Sequence, residues 1–222
     1  MKLKFDSGLD YQIQAIQSVT GLLEGTLKEN ALRVVDLGKS DEGMFEELNE
    51  IVIGNHLALT DSQLHENLAR IQVENRILKS KDLISPEDAY KFPNFSVEME
   101  TGTGKTYVYL RTIFELNKLY GLKKFIIVVP SVAIREGVTT SIRLMTDHFR
   151  NLYDNVAVDH FVYLSKELPK VRQFAINNEI QIMIINIQAF VKDIGEGSGN
   201  VNKIYQDPDS MYGRRPIDYI QS

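Results

Sequence analysis

The octet Met99-Glu100-Thr101-Gly102-Thr103-Gly104-Lys105-Thr106 constrains this chain more than any other stretch of it. It follows the short apolar run Phe95-Ser96-Val97-Glu98-Met99 and precedes a long helix-patterned segment, so the spacing predicts a strand over 95–99, a glycine loop, and a helix from 105. That is the layout of a nucleoside-triphosphate phosphate-binding loop. Gly102 and Gly104 carry no Cβ, which lets the chain curl and turn backbone N–H groups toward phosphate oxygens. The helix that follows adds unpaired N–H groups and its positive dipole end. Lys105 offers a mobile cation for β- and γ-phosphates, and the Thr106 hydroxyl suits a Mg²⁺ ligand. Met99 stands where the full pattern has its first glycine, so the loop is the variant T-G-x-G-K-T. The Glu100 carboxylate would repel a polyphosphate and is expected to point away from it.

The remaining composition bounds the partners. A chain of 222 residues with 43% hydrophobic residues builds an ordinary globular domain, with room for an insertion or flanking subdomain. There is no cysteine, hence no disulfide framework or thiolate metal site, and His56, His65, His148 and His160 show no ligand spacing. No apolar run approaches membrane-spanning length and the start, Met1 to Asp6, leads into no apolar leader, so a cytoplasmic location without membrane contact is expected. A net charge of −5 and a pI near 5.5 lack the basic footprint of a dedicated nucleic-acid binder. They do not exclude DNA, because backbone N–H groups and helix ends also take phosphates.

Along the chain, Ala15, Ile16, Val19, Leu22 and Leu23 recur at helical spacing in an opening helix. A polar loop is expected over 38–43. A helix is expected over 61–79, opened by a Thr60–Gln63 capping box and carrying Leu64, Leu68, Ile71 and Leu78, with Asn75 interrupting the stripe. Ser85-Pro86-Glu87-Asp88 reads as a turn that could start a short helix. After the glycine loop the pattern alternates: helix 105–119, strand 124–129, a helix through Ile134, Val138, Ile142, Met145, Phe149 and Leu152, strand 160–164, a short helix near 166–177, and strand 180–187. The β-branched runs read as strands buried on both faces, which is the habit of parallel sheets. The fold class is therefore α/β, with a mainly parallel, doubly wound sheet flanked by helices. Residues 195–200 read as a linker, and a last helix-like piece spans 217–222.

A nucleotide hydrolase of this type also needs an apolar strand ending in Asp, often Asp-Glu, to hold Mg²⁺ and orient water. No Asp after the glycine loop ends a buried run, and Asp41-Glu42 lies upstream in a loop. The expectation is a chain that stops before its catalytic acid and hydrolyses nucleotide poorly by itself.

Tyr11-Gln12, the octet 99–106, Val129-Pro130-Ser131-Val132-Ala133-Ile134-Arg135-Glu136-Gly137, and Ile185-Asn186-Ile187-Gln188-Ala189-Phe190 fall in the order of superfamily 2 helicase motifs. Their wording resembles the N-terminal helicase lobe of the Res subunit of type III restriction enzymes, with the motor subunit of type I enzymes as near neighbour. The resemblance covers most of the chain and is weakest between about 24 and 60. It implies a RecA-like lobe of an ATP-driven DNA motor, with residues 1–94 as an adenine-side helix and helical insertion and 95–222 as the ATP-binding lobe, truncated before its acidic motif. It implies ATP and Mg²⁺ as cofactors, held by Gln12, Thr101, Gly102, Thr103, Gly104, Lys105 and Thr106, with Lys105 and Thr106 in catalytic roles and Thr106 toward the metal. Gln12 would read the adenine edge, since its amide both donates and accepts; the plainer alternative is an exposed polar residue on a helix. Ser131 and Arg135 would take a DNA backbone; alternatively Ser131 only caps a helix and Arg135 lies in solvent. Asn186 and Gln188 read as structural polar residues. The implied partners are double-stranded DNA and a modification (methyltransferase) subunit. The family's Asp-Glu motif, second lobe and nuclease domain are absent from these residues. Other readings are a different superfamily 2 DNA helicase, a P-loop kinase or NTPase unrelated to restriction, and a scaffold with a vestigial loop. No guanine-reading N-K-x-D occurs.

Overall fold

Strand β5 (Ile180–Asn186) is buried at every residue from Ile180 to Ile185, so each of its faces must meet an apolar layer. It lies between β3 (Lys124–Val129) and β4 (Val158–Val162) in a three-stranded sheet, and both pairings are parallel. Ile126 and Phe161 flank Met183 across the two ladders. The structure, a computed structural model, describes residues 5–36, 51–85, 87, 91–191, 202–206 and 214–221.

The pleat divides the core. Ile180, Ile182 and Ile184 point toward α3 (Lys105–Tyr120) and α4 (Val132–Leu152), meeting Leu110, Ile113, Phe114, Val138, Ile142 and Phe149. Met183 and Ile185 point the other way, toward Val171 and Phe174 of α5 (Pro169–Ile176) and Ile217 and Tyr219 of α6 (Pro216–Gln221). Helices on both faces of a parallel sheet are the α/β, RecA-like layout expected from the alternating pattern. The α3 helix leads into β3 through Gly121–Lys123, and α4 follows β3 after Pro130-Ser131. Each helix thus begins at the carboxyl end of the strands, where ligands of open α/β sheets collect.

A helical layer precedes this lobe. The α1 helix (Asp10–Thr20) packs along α3, and α2 (Asp61–Glu74) packs on the 3-10 turn Gly21–Leu23 that follows α1, through Leu22, Leu64 and Ile71. The capping box forms: the Gln63 N–H donates to Thr60 Oγ1 at 3.3 Å and the Thr60 N–H to Gln63 Oε1 at 3.0 Å. However, α2 stops at Glu74 rather than 79. Asn75 donates from Nδ2 to the Ile71 carbonyl and to Ser18 Oγ, and its Oδ1 accepts from Gln14. The polar residue that interrupts the stripe therefore ends the helix and ties it to α1, leaving Leu78 exposed.

Two further expectations need correction. Residues 93–100 carry no strand: Phe95 and Val97 are exposed, and nothing in the described ladders pairs with them. A strand exists only where a neighbour takes its N–H and C=O groups, and the two-residue apolar alternation buries nothing here. Conversely, an antiparallel pair that periodicity did not single out, β1 (Leu32–Asp36) with β2 (Ile51–Asn55), lies N-terminal to the loop. Val52 of β2 enters the same cluster as Met183 and Ile185, and Asn55 clips β2 to the start of β3. Its Oδ1 accepts the Lys123 and Lys124 N–H groups, and its Nδ2 donates to the Lys124 carbonyl. The third strand begins two residues early, at Val158, because its ladder with β5 starts at Val158 opposite Ile180. The loop expected over 38–43, most of the turn over 85–88 and the linker over 195–200 lie outside the described residues.

Ile184→Ala should lower unfolding free energy by about 2–5 kcal/mol in urea denaturation, as a cavity in a fully buried strand does. Leu78→Ala should stay within about 0.5 kcal/mol. Equal small effects would contradict the placement of β5 between two apolar layers.

Candidate functional site

Thr101 and Gly102 turn the chain into α3, and both Gly102 (φ +85°) and Gly104 (φ +86°) sit in the left-handed region. The two positions differ in kind. A Cβ at Gly102 would meet nothing within 4 Å, whereas one at Gly104 would lie 2.6 Å from Gln12 Nε2. Glycine at 104 is thus required by conformation and by the approach of a side chain from α1. The loop is braced from within, since Thr103 Oγ1 donates to the Glu100 carbonyl at 2.6 Å. The Glu100 side chain is exposed, which leaves that carbonyl as the residue's contribution to the loop.

Gly104 occupies the N-cap of α3 and has no side chain to offer, so no side chain caps the first turn. Its N–H groups and dipole are left for an anion. Lys105 is exposed, with no carboxylate partner among the described residues, and Thr106 beside it is half-buried. An uncapped helix start, an unpaired ammonium and a hydroxyl one residue on fit a polyphosphate carrying a divalent cation. Among the described residues there is no cluster of three or more His, Cys, Asp or Glu that would hold a metal unaided.

Gln12 is 6% exposed, contrary to the alternative of a solvated helix residue. Its Nε2 donates to the Thr103 carbonyl at 2.8 Å, a contact 91 residues apart in sequence. Because a carbonyl only accepts, this bond fixes which way the amide faces. The amide oxygen accepts nothing among the described residues and remains available to a donor. Gln12 of α1 therefore meets the loop at Thr103, next to residues 104–106.

Ser131 and Arg135 stand apart from that place, at the start of α4. Ser131 Oγ accepts the Ile134 N–H at 3.3 Å, which is N-capping. Arg135 is not solvated: its guanidinium pairs with Glu136 at 3.0 Å and reaches Asn186 Oδ1 at 3.4 Å. Gln188 donates to the Pro130 carbonyl at 3.0 Å. The segment after β3 and the segment after β5 are thus stitched together by Asn186 and Gln188. Sequence reading had these as structural polar residues, and the hydrogen bonds give them that role. Among the described residues, no helix is long and apolar enough to cross a membrane.

The family model described as "Type III restriction enzyme, res subunit" matches residues 7–212. The chain is 41% identical over 99 residues to the Type III restriction-modification enzyme EcoP15I Res subunit of Escherichia coli, covering 44% of this chain and 10% of that protein. It is 34% identical over 122 residues to the EcoPI Res subunit of Escherichia phage P1, covering 54% of this chain and 12% of the relative. Against the StyLTI Res subunit of Salmonella typhimurium the identity is 48% over 68 residues, covering 30% and 7% of the two chains. The match therefore spans about a tenth of the length of these relatives. No solved structure matches the chain.

Gly104→Ala should cost about 0.5–1.5 kcal/mol more than Gly102→Ala in thermal or urea unfolding, because both strain φ but only the first displaces the Gln12 amide and its hydrogen bond to Thr103. In a Gln12→Ala background the two penalties should converge. A difference that survives removal of Gln12 would show that the close approach is not what demands glycine.

Proposed function

Because this chain belongs to the type III restriction enzyme Res subunit family, we propose that it is the ATP-binding lobe of an ATP-dependent DNA translocase subunit of a restriction endonuclease. Residues 1–94 supply the adenine-side helix, and residues 95–222 the lobe that grips phosphate. The observation that carries this reading is the Gln12–Thr103 hydrogen bond, which sets an adenine-selecting amide beside an uncapped helix start.

In this reading the N–H groups of the loop and first turn of α3 hold the polyphosphate. Lys105 neutralises its β- and γ-oxygens, and Thr106 ligates the Mg²⁺ that accompanies it. Gln12 Oε1 accepts from the exocyclic amine of adenine. Guanine carries a carbonyl at that position and would face the amide oxygen with a second acceptor. That preference separates the reading from a GTPase-like switch and from a P-loop kinase, neither of which calls for an adenine reader 90 residues upstream of the loop.

Double-stranded DNA is the proposed track, met by the face at the starts of α4 and of the segment after β5. Arg135 reaches a phosphate there by exchanging the exposed Glu136 carboxylate for it. The proposed assembly partner is the modification (methyltransferase) subunit of the restriction complex, and the proposed location is cytoplasmic.

Replacing Lys105 by Ala should remove measurable MgATP binding in a calorimetric titration of the folded chain. Affinity equal to the parent's would reject the assignment of the loop. Duplex DNA binding, where it is measured, should weaken steeply as salt rises.

A further inference from the structure

The five residues before α1 are held by α3, the helix whose start forms the phosphate cradle. Arg111, near the middle of α3, donates from Nη1 to the Ser7 carbonyl at 2.7 Å, across 104 positions of sequence. Its Nε donates to the Tyr153 hydroxyl at 3.2 Å, and its Nη2 lies 3.7 Å from Glu115. Tyr153 in turn donates to Glu115 at 2.7 Å. Burial, with the hydrogen bond to Glu115, holds the Tyr153 phenol above its ordinary range, so it stays a donor at neutral pH.

The planar guanidinium thus has partners in three directions, and the Arg111 side chain is 13% exposed. A group fixed so completely has little freedom left to accommodate a displaced Ser7. A second anchor works beside it. Phe5 packs against His148 (centroids 5.3 Å apart) and stacks on Tyr107 (6.2 Å), while Tyr107 and His148 share a hydrogen bond at 3.0 Å. Burial and the neighbouring Arg111 cation push the His148 imidazole down, which keeps it uncharged against these rings.

Leu9 is the N-cap of α1, and its carbonyl accepts the Gln12 and Ile13 N–H groups. Fixing Phe5 and Ser7 therefore fixes where α1 begins, and with it the register that brings Gln12 to Thr103. We infer that Arg111 is a positioning residue for base selection: it ties the strap Phe5–Leu9 to α3, so that the base reader and the phosphate cradle move as one body. The inference rests on the reading of Gln12 as the adenine contact. Without the tie, the cradle keeps its own geometry, because Gly102, Gly104 and the Thr103–Glu100 bond are internal to the loop. What is lost is the alignment of Gln12 with it.

The test titrates the 222-residue chain with MgATP, MgGTP and magnesium tripolyphosphate, the last reporting on the cradle alone. Arg111→Met should weaken ATP about 10-fold, the equivalent of one well-placed hydrogen bond. GTP and tripolyphosphate should change by less than about 2-fold, so the ATP-to-GTP preference collapses. In a Gln12→Ala background the Arg111 substitution should have no further effect on that preference. Equal losses for all three ligands would mean a merely structural role and overturn the inference, as would an unchanged preference. If Gln12→Ala itself leaves the preference intact, the adenine reading falls and this inference falls with it. If Gln12→Ala abolishes the preference and Arg111→Met does not, only the positioning role is lost. Should Arg111→Met fail to fold, Phe5→Ala frees the same strap without opening the Arg111–Tyr153–Glu115 network. It is expected to give the same selective loss, and retention of the preference in Phe5→Ala would equally overturn the proposal.

Discussion

The hydrogen bond from Gln12 to the Thr103 carbonyl joins the two halves of this chain at the point where chemistry is expected. It forms only because residue 104 has no Cβ, and only because α1 is packed along α3 at one register. Remove either condition and, in the proposed reading, the glycine loop would keep its grip on phosphate with nothing to select the base. Burial adds to the consequence. The Gln12 side chain is mostly buried and its Nε2 is committed to the loop, so its amide oxygen is held in one orientation for a ligand that supplies a donor.

The sheet supplies the rigid frame against which that contact is set. Strand β5 is covered on both faces, and the start of α3 and the start of α4 are carried to the same end of the strands. Two candidate regions therefore share one edge: the loop with Gln12, and the Ser131–Arg135 segment stitched to Asn186 and Gln188. Coupling between them has a short physical route, since α3 and α4 pack on each other and on the same strand. That proximity suits a lobe in which the state of a nucleotide alters the grip on a second ligand.

Much of this was legible in the residues, for identifiable reasons. The run 180–187 is apolar and mostly β-branched apart from Gln181 and Asn186, and β5 is buried on both faces as its pattern suggests. The run 124–129 reads the same way, yet β3 is an edge strand of the described sheet that leaves Ile126 and Val128 exposed. The glycine loop carries its own geometry. Gln12 was legible as a candidate only through the resemblance to a helicase lobe; no local pattern distinguishes a glutamine that meets a carbonyl 91 residues away. The pair β1–β2 had a signal in Arg33-Val34-Val35 and Ile51-Val52-Ile53, but each run is five residues or fewer, and the residues between them gave no hairpin turn to join them. The opposite error, a strand over 95–99, came from reading an apolar run as sufficient when a strand also requires a partner. The Arg111 tie was invisible for a related reason: its acceptor is a backbone carbonyl, which every residue has.

The most direct test is a crystal structure of this chain with Mg²⁺ and a non-hydrolysable ATP analogue. The account predicts phosphate oxygens against the N–H groups of residues 102–106, the Lys105 ammonium on the terminal phosphates, and the adenine amine facing Gln12 Oε1 with the Thr103 bond intact. A nucleotide seated with its base away from Gln12, or a phosphate tail outside the Gly102–Thr106 turn, would contradict it.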